Sequence, residues 1–511
     1  MTKKTSLTAF IIVLVVLILL VMQYWTIDGY SVQADQPIRF GLSHAPVNLN
    51  PLQATDAVSA RINRLIYQRL VEFAADNMPV PGISRWQQLS PGHYRFTIIK
   101  DAQGNYPRFH HGKLLTSADI KASYDAVLDI KRASPHRNAI KHIDRMEIID
   151  EHSIDFYLSR PDPLFPAFLV IGIVPEDLLN SAHPFNTHPV GSGPFKFSHW
   201  PFAGQLFLRR QSDAQLFEFL KVKNPTVRVL KLLRGELDLI QNNLPPEHVS
   251  FLKKHQEINH LTHSGSNYSY LGFNLIDPVT ANIALRKAIA YALDRDKIIR
   301  YALGNAAQKA SGFFPQQHWA GAAVKTYEYN TQAAREIMQQ LGYNKNNHLL
   351  LSYKTSSDPF RIRIATIIQS QLKDIYIDLH IHSYDWGTFY GDIKAGHFQL
   401  YSLTWVGINT PDIFRYVFHS HSLPPSGANR GRFNNSDIDL LIEQAEQQQT
   451  LPEQAEKYHQ LQRKLQVLLP YVSLWYEDNI AFFRTDINNY RLSTDGSYDA
   501  LEYVQRQLQA K

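Results

Sequence analysis

The sequence predicts an α/β protein of two or three lobes built on mixed sheets. At 511 residues the chain exceeds what one ordinary core accommodates. Leu349–Tyr353 reads as a strand and Arg361–Leu372 as a helix with Ile364, Ile367, Ile368 and Leu372 on one face. Ile375–His380 follows as another strand, a βαβ-like order that calls for a mixed sheet with crossover helices. Tyr268–Pro315 reads as a strand leaving a core, a turn at Asp277-Pro278, and a helix pair.

In that last stretch Leu285, Ala288, Ile289 and Ala292 recur at helical spacing over 282–293, with Arg286, Lys287 and Arg295 off the stripe. Asp294 is placed to cap a second short helix, 296–303, and Gly304 to end it. Upstream, Ile38–Leu42 is expected as a strand, 59–70 as a helix and His93–Ile98 as an alternating strand. Thr116 and Asp119 form a capping box before the stripe Ile120, Tyr124, Val127 and Leu128. Helices are also expected over 333–342, which stops at Gly342, and over the acidic 437–448.

Hydrophobic content of 44% with 19% charged residues describes a globular chain. The formal charge of +6 is spread without a dense Lys/Arg run, so no nucleic-acid partner is expected, and Arg209-Arg210 and 221–223 read as a solvated face. With no cysteine there is no disulfide, thiolate metal site or cysteine nucleophile. Phosphate-loop, H-E-x-x-H and dinucleotide fingerprints are absent, and Gly191-Ser192-Gly193 lacks the spacing of a serine elbow. The 22 histidines are scattered, and the pair His110-His111 reads as a surface turn. Neither an enzyme nor a cofactor or metal site is expected.

Lys3 and Lys4 precede an apolar run from Ala9 to Met22, the order of an export signal. Val32-Gln33-Ala34 suits cleavage before Asp35. Residues 7–25 are also long enough to span a bilayer as an uncleaved anchor, so residues 1–34 are a signal peptide or a membrane anchor. Either way the body is exported.

Several blocks, in order, carry a family resemblance. They are Leu49-Asn50-Pro51, 66–71 (IYQRLV), Pro79-Val80-Pro81-Gly82, 109–120 (FHHGKLLTSADI), 189–197 (PVGSGPFKF), 233–238 (LRGELD), Gly272-Phe273-Asn274 with LRKAIAYALDRDKII, and 334–343 (AREIMQQLGY). Together they resemble the family 5 extracellular solute-binding proteins, the oligopeptide, dipeptide, nickel and haem receptors of ABC importers. The resemblance covers nearly all of residues 36 to about 490. It implies a periplasmic-binding-protein-like fold (type II, cluster C) with mixed sheets, two ligand-closing lobes and an extra small domain. Lobe I would be discontinuous, 35–55, 187–270 and 481–511; the extra domain 56–186; and the other lobe 271–480. The family's acidic residue stands as His111 here, and 209–223 replaces its usual NPxYW segment.

The resemblance also implies site residues. The turn after the first strand, His44, Ala45 and Pro46, would line the cleft, with the pair Asn242 and Asn243 near the hinge. Tyr268 and Tyr270 of the aromatic strand, Trp386, and the turn from Trp405 through Gly407, Ile408 and Asn409 would complete it. Core packing is the alternative role for Trp405 and Tyr270. Peptide receptors of the family commonly place an Asp after this Trp to pair with the ligand's α-amino group, where Ile408 stands here. A buried ammonium facing it would lose roughly 2–5 kcal/mol. Asp412 or Asp385 is the candidate substitute; otherwise the solute lacks an ordinary free N-terminus. The function implied is capture of a peptide or peptide-like solute by a monomer in the periplasm, either free or tethered to the inner membrane by residues 7–25, for permease subunits in that membrane. Nickel, haem or another non-peptide solute is the alternative, as is a membrane-tethered sensor or chaperone.

Overall fold

The computed structural model describes residues 36–507. Its centre is an eleven-stranded mixed sheet. One half runs, in spatial order, through Phe195–Phe202, Gln205–Arg210, Leu216–Lys221, Ile38–Leu42 and Leu239–Gln241. The other half comprises Ile377–Tyr384, Leu349–Ser356 and Leu400–Trp405. Two long strands, Ile258–Phe273 and Tyr471–Arg484, join the halves by pairing antiparallel along most of their length. Ile258–His263 lies against Asn479–Arg484 in the first half, and Asn267–Gly272 against Tyr471–Glu477 in the second. Between them the register breaks: 264–266 stand opposite Asp478 alone. Gly265 sits there because an added Cβ would run into the Glu477 carbonyl.

A separate four-stranded antiparallel sheet, Ser84–Ser90, His93–Ile98, Ser153–Leu158 and Ile143–Asp150, packs under the helix Ser117–Leu128. The Thr116–Asp119 capping box forms as expected. Its core, with Phe96, Tyr124 and Phe156 fully buried, is continuous with that of the first half-sheet. The second half-sheet is covered on both faces. Leu271 and Phe273 point to the helices Ile283–Ala292 and Pro359–Lys373, whereas Tyr268 and Tyr270 point to Ile413–Phe418, Ser436–Glu446 and Leu451–Leu468. After the last long strand the chain returns to the first half, where Tyr498 packs edge-on against Phe40 at 4.7 Å and Arg64 pairs with Asp495 and Asp499.

Several expectations are corrected. The first helix is Ala57–Ile66, capped by Asp56, and stops four residues early. The carbonyls of Gln68, Arg69 and Leu70 instead accept from Ile173, Ile83 and Gly82, so tertiary pairing outcompetes the last helical turn. The second helix of the pair is one α-turn, Arg295–Lys297, capped by Asp294, continuing as a wider π-turn Ile298–Ala302. Arg210 is not solvated. It is 3% exposed and binds Asp213 and the carbonyls of Leu501, Glu502 and Val504, holding the C-terminal segment down. Of the pair His110-His111, His111 is exposed as expected but His110 is half-buried: its Nε2 donates to the Gly193 carbonyl at 3.0 Å, joining the small sheet's domain to the Gly-Ser-Gly turn. That turn needs glycine for space: a Cβ on Gly193 would lie 2.5 Å from the Leu65 carbonyl oxygen.

Among the described residues no helix is long and apolar enough to cross a membrane. The signal or anchor segment, with its candidate span 7–25, lies outside them.

Candidate functional site

Strands Ile38–Leu42, Leu216–Lys221 and Leu239–Gln241 run parallel, so their C-terminal ends lie along one edge of the sheet. Such an edge, where parallel strands hand over to loops, is where open α/β sheets bind ligands. His44, Ala45 and Pro46 follow the first strand, Lys221 ends the second, and Asn242 and Asn243 follow the third. Ser43 ties the first and third loops together: Asn243 Nδ2 donates to Ser43 Oγ at 3.1 Å, and Ser43 Oγ lies 3.0 Å from His44 Nδ1.

A cavity of about 960 Å³ opens on this edge, and His44, Ala45 and Pro46 line it. Its other walls come from Val47, His188, the hairpin Trp200 to Ala203, and Lys221. Val47 and Phe202 present apolar surface at its rim, being 77% and 59% exposed. The Trp200 indole N–H has no partner among the described residues. Apolar walls with a few directed polar groups suit capture of an organic solute. His188, Trp200 and Phe202 were not foreseen as site residues. Their spacing carries no motif, because the hairpin reaches the loop after the first strand only through sheet order.

Asn242 and Asn243 both adopt left-handed backbone, φ 57° and 54°. The Asn242 amide is engaged on both sides: Nδ2 donates to Asn479 Oδ1 at 2.8 Å, and Oδ1 accepts from the Ile480 N–H at 2.8 Å. It therefore fastens the edge of the first half-sheet to the long strand just beyond the register break.

The second half-sheet carries the remaining candidate residues. Trp405 ends its strand, Val406 and Gly407 are exposed, Gly407 takes φ 69°, and Ile408 packs against the aromatic core. His318 holds this loop: its Nε2–H donates to the Asn409 carbonyl at 2.9 Å while Nδ1 accepts from the Ala320 N–H at 3.0 Å. Burial pushes the His318 ring down to about 4, keeping it neutral. Asp412 accepts from Thr410 Oγ1 at 2.5 Å, and Asp385 caps the helix Trp386–Ala395 through the Gly387 and Thr388 amides. Both candidate amine partners thus already have local donors. Trp386, 59% exposed, stacks on Tyr390 at 5.3 Å. The Arg430 guanidinium lies 4.5 Å from the Trp405 ring centroid.

Tyr268 and Tyr270 are 3% and 0% exposed, which corrects their assignment to the solute-facing surface. The Tyr268 hydroxyl bonds Ser473 Oγ at 2.7 Å, and Tyr270 stacks on Tyr471 at 4.1 Å. Alternation in a strand puts both on the face that the helices cover. The structure therefore groups His44–Pro46 with Asn242 and Asn243 on one half-sheet, and Trp386, Trp405 and 407–412 on the other, with the two tyrosines inside the core of the second.

Two long strands linking two half-sheets across a register break, with candidate residues on both sides, define a two-lobed solute-binding architecture. The family model for bacterial extracellular solute-binding proteins, family 5, matches residues 83–423, more than half of the chain. The chain belongs to that family. It is 24% identical over 495 residues to di/tripeptide-binding protein 2 of Pseudomonas aeruginosa, covering 89% of this chain and 92% of that protein. Its fold matches NikZ from Campylobacter jejuni, solved with Ni(L-His), at TM-score 0.77 and 21% identity, over 92% of this chain and 99% of that one. It also matches the oligopeptide-binding protein AppA of Bacillus subtilis, solved with a nonapeptide, at TM-score 0.75 and 21% identity, over 93% and 99% of the two chains.

Proposed function

We propose that the protein captures a peptide or peptide-like solute between its two lobes outside the cytoplasm, in the periplasm, and delivers it to the permease subunits of an ABC importer. The lobes that close are 35–55, 187–270 and 481–511 on one side and 271–480 on the other, with 56–186 as an additional domain. The observation carrying this reading is the cavity at the C-terminal strand edge, lined by His44–Pro46, in a molecule whose half-sheets are joined by two long strands with a register break at 264–266. A break of this kind lets the half-sheets rotate with few backbone changes. Closure excludes water and strengthens each polar contact inside. Binding without chemistry accords with the peptide-binding relatives.

Thermal unfolding of the exported protein against a library of di-, tri- and oligopeptides tests the proposal, together with mass spectrometry of any co-purifying solute. A ligand that binds only the native state at a hundred times its Kd raises stability by about 2.7 kcal/mol. Absence of any shift at millimolar peptide, with a metal chelate or haem shifting the protein instead, overturns the peptide reading. Among the described residues no three His, Asp or Glu side chains are placed to hold a metal ion, so a chelate would have to bring its own ligands.

A further inference from the structure

Six arginines are buried among the described residues, and five face an oxygen that can bear their charge. Arg69 pairs with Glu72, and Arg210 with Asp213 and three carbonyls. Arg228 reaches the carbonyls of Val222 and Asn243, Arg286 those of Thr280 and Leu468, and Arg295 those of Ala310, Ser473 and Tyr327. Arg430 is the exception. At 6% exposure, its guanidinium donates, among the described residues, only to the phenol oxygens of Tyr270 and Tyr390, each at 3.1 Å, and faces the rings of Trp405 at 4.5 Å and Tyr390 at 5.4 Å.

Phenol oxygens are weak acceptors, and ring faces offer only a quadrupole. A buried guanidinium held this way keeps much of its desolvation penalty until an anion arrives. The surroundings favour an anion from outside the chain. Trp405 and Tyr390 are themselves only partly buried, and Trp386, stacked on Tyr390, is largely exposed. The position after Trp405 that would hold a carboxylate for a ligand ammonium is Ile408, and Asp412 is engaged by Thr410. At Arg430 itself the local charge is a cation that faces phenols and rings, which favours an anionic oxygen over an ammonium at that point.

Resting on the solute-capture reading, we infer that Arg430 is a specificity-determining residue that pairs with a carboxylate of the solute when the solute packs against Trp405 and Tyr390. The bound molecule is thus an acid whose anionic end, not a free amine, is anchored on this lobe.

Calorimetric titration of the exported protein with matched peptides tests this. Each sequence is used with free termini, with the C-terminus amidated and with the N-terminus acetylated, alongside non-peptide dicarboxylates. Amidation is expected to weaken binding by about thirtyfold or more, and acetylation by far less. In Arg430→Met, which keeps the side-chain length, the amidation penalty should vanish; Arg430→Lys should retain part of it. Circular dichroism and the unfolding midpoint show that each variant folds, and Tyr390→Phe, which removes one phenol contact while leaving Arg430, covers the case where Arg430→Met does not. Tyr390→Phe should then preserve the amidation penalty. The inference is overturned if acetylation abolishes binding while amidation is tolerated, or if folded Arg430→Met keeps the full penalty. Binding of a non-peptide dicarboxylate in an Arg430-dependent way, with no peptide bound, sinks the peptide reading and supports this one. Binding only of neutral or cationic probes overturns this inference alone, and no binding of any probe overturns both.

Discussion

His318 Nε2 donates to the backbone carbonyl of Asn409 at 2.9 Å, fastening the segment after Pro315 to the loop that carries Ile408. A carbonyl only accepts and the Ala320 N–H only donates, so these two bonds specify one neutral tautomer. His110 repeats the arrangement between the Gly193 carbonyl and the Gly191 N–H.

Burial pushes both rings from 6.5 down to about 4. Between those values the unfolded chain binds protons that the folded chain does not. Their stabilising contribution is therefore fully present above pH 6.5 and is lost as pH falls towards 4. Urea midpoints should drop over that window, with each histidine responsible for on the order of 2–3 kcal/mol. His318→Gln and His110→Gln should each flatten the dependence, and an unchanged slope in both would contradict burial of the two rings in neutral form.

Gly193→Ala should destabilise the protein by about 3 kcal/mol, because the added methyl meets the Leu65 carbonyl oxygen at 2.5 Å, and backbone cannot step aside as a side-chain end can. Gly104→Ala controls for size alone with respect to packing: its Cβ position is open, leaving only the cost of φ 85°. Chemical denaturation of the two variants separates crowding from dihedral strain.

At Asn242 the side-chain bonds and the left-handed backbone can be separated in the same way. Asn242→Gly keeps φ near 57° accessible but loses the contacts to Asn479 and Ile480, and should cost about 1–3 kcal/mol. Asn242→Ala adds backbone strain and should cost about 1 kcal/mol more. Equal losses would show that the strain is relieved elsewhere.

Arg210→Ala leaves the Asp213 carboxylate and the carbonyls of Leu501, Glu502 and Val504 without their shared donor. A loss of about 3 kcal/mol is expected. Limited proteolysis should show earlier cleavage after residue 490 than in the parent protein.

Trp386→Ala tests the proposed role of this ring in solute binding. The ring is 59% exposed and rests on Tyr390. Its removal should change stability by less than about 1 kcal/mol while weakening solute binding by about tenfold. Isothermal titration with whichever peptide shifts the unfolding temperature reads both effects.

Much of the architecture was legible in the residues. The helical stripe Leu285–Ala292, the Asp294 cap and the Thr116–Asp119 box are local patterns whose energetics lie within a few residues, and all three form as read. The candidate site was legible only in part. His44–Pro46 line the cavity, but the resemblance that named them also named Tyr268 and Tyr270, which strand alternation and helix cover place inside.

By itself the sequence determined the family and the α/β class, because these rest on local order and residue identity. Only the tertiary structure decided that Asn242 is a fastening, that Arg210 clamps the C-terminal segment, and that Arg430 lies buried among rings without an anion. The physical reason is that burial and partnership are properties of segments far apart in the chain: Arg430 meets Tyr270 across 160 positions, and no window of sequence contains both.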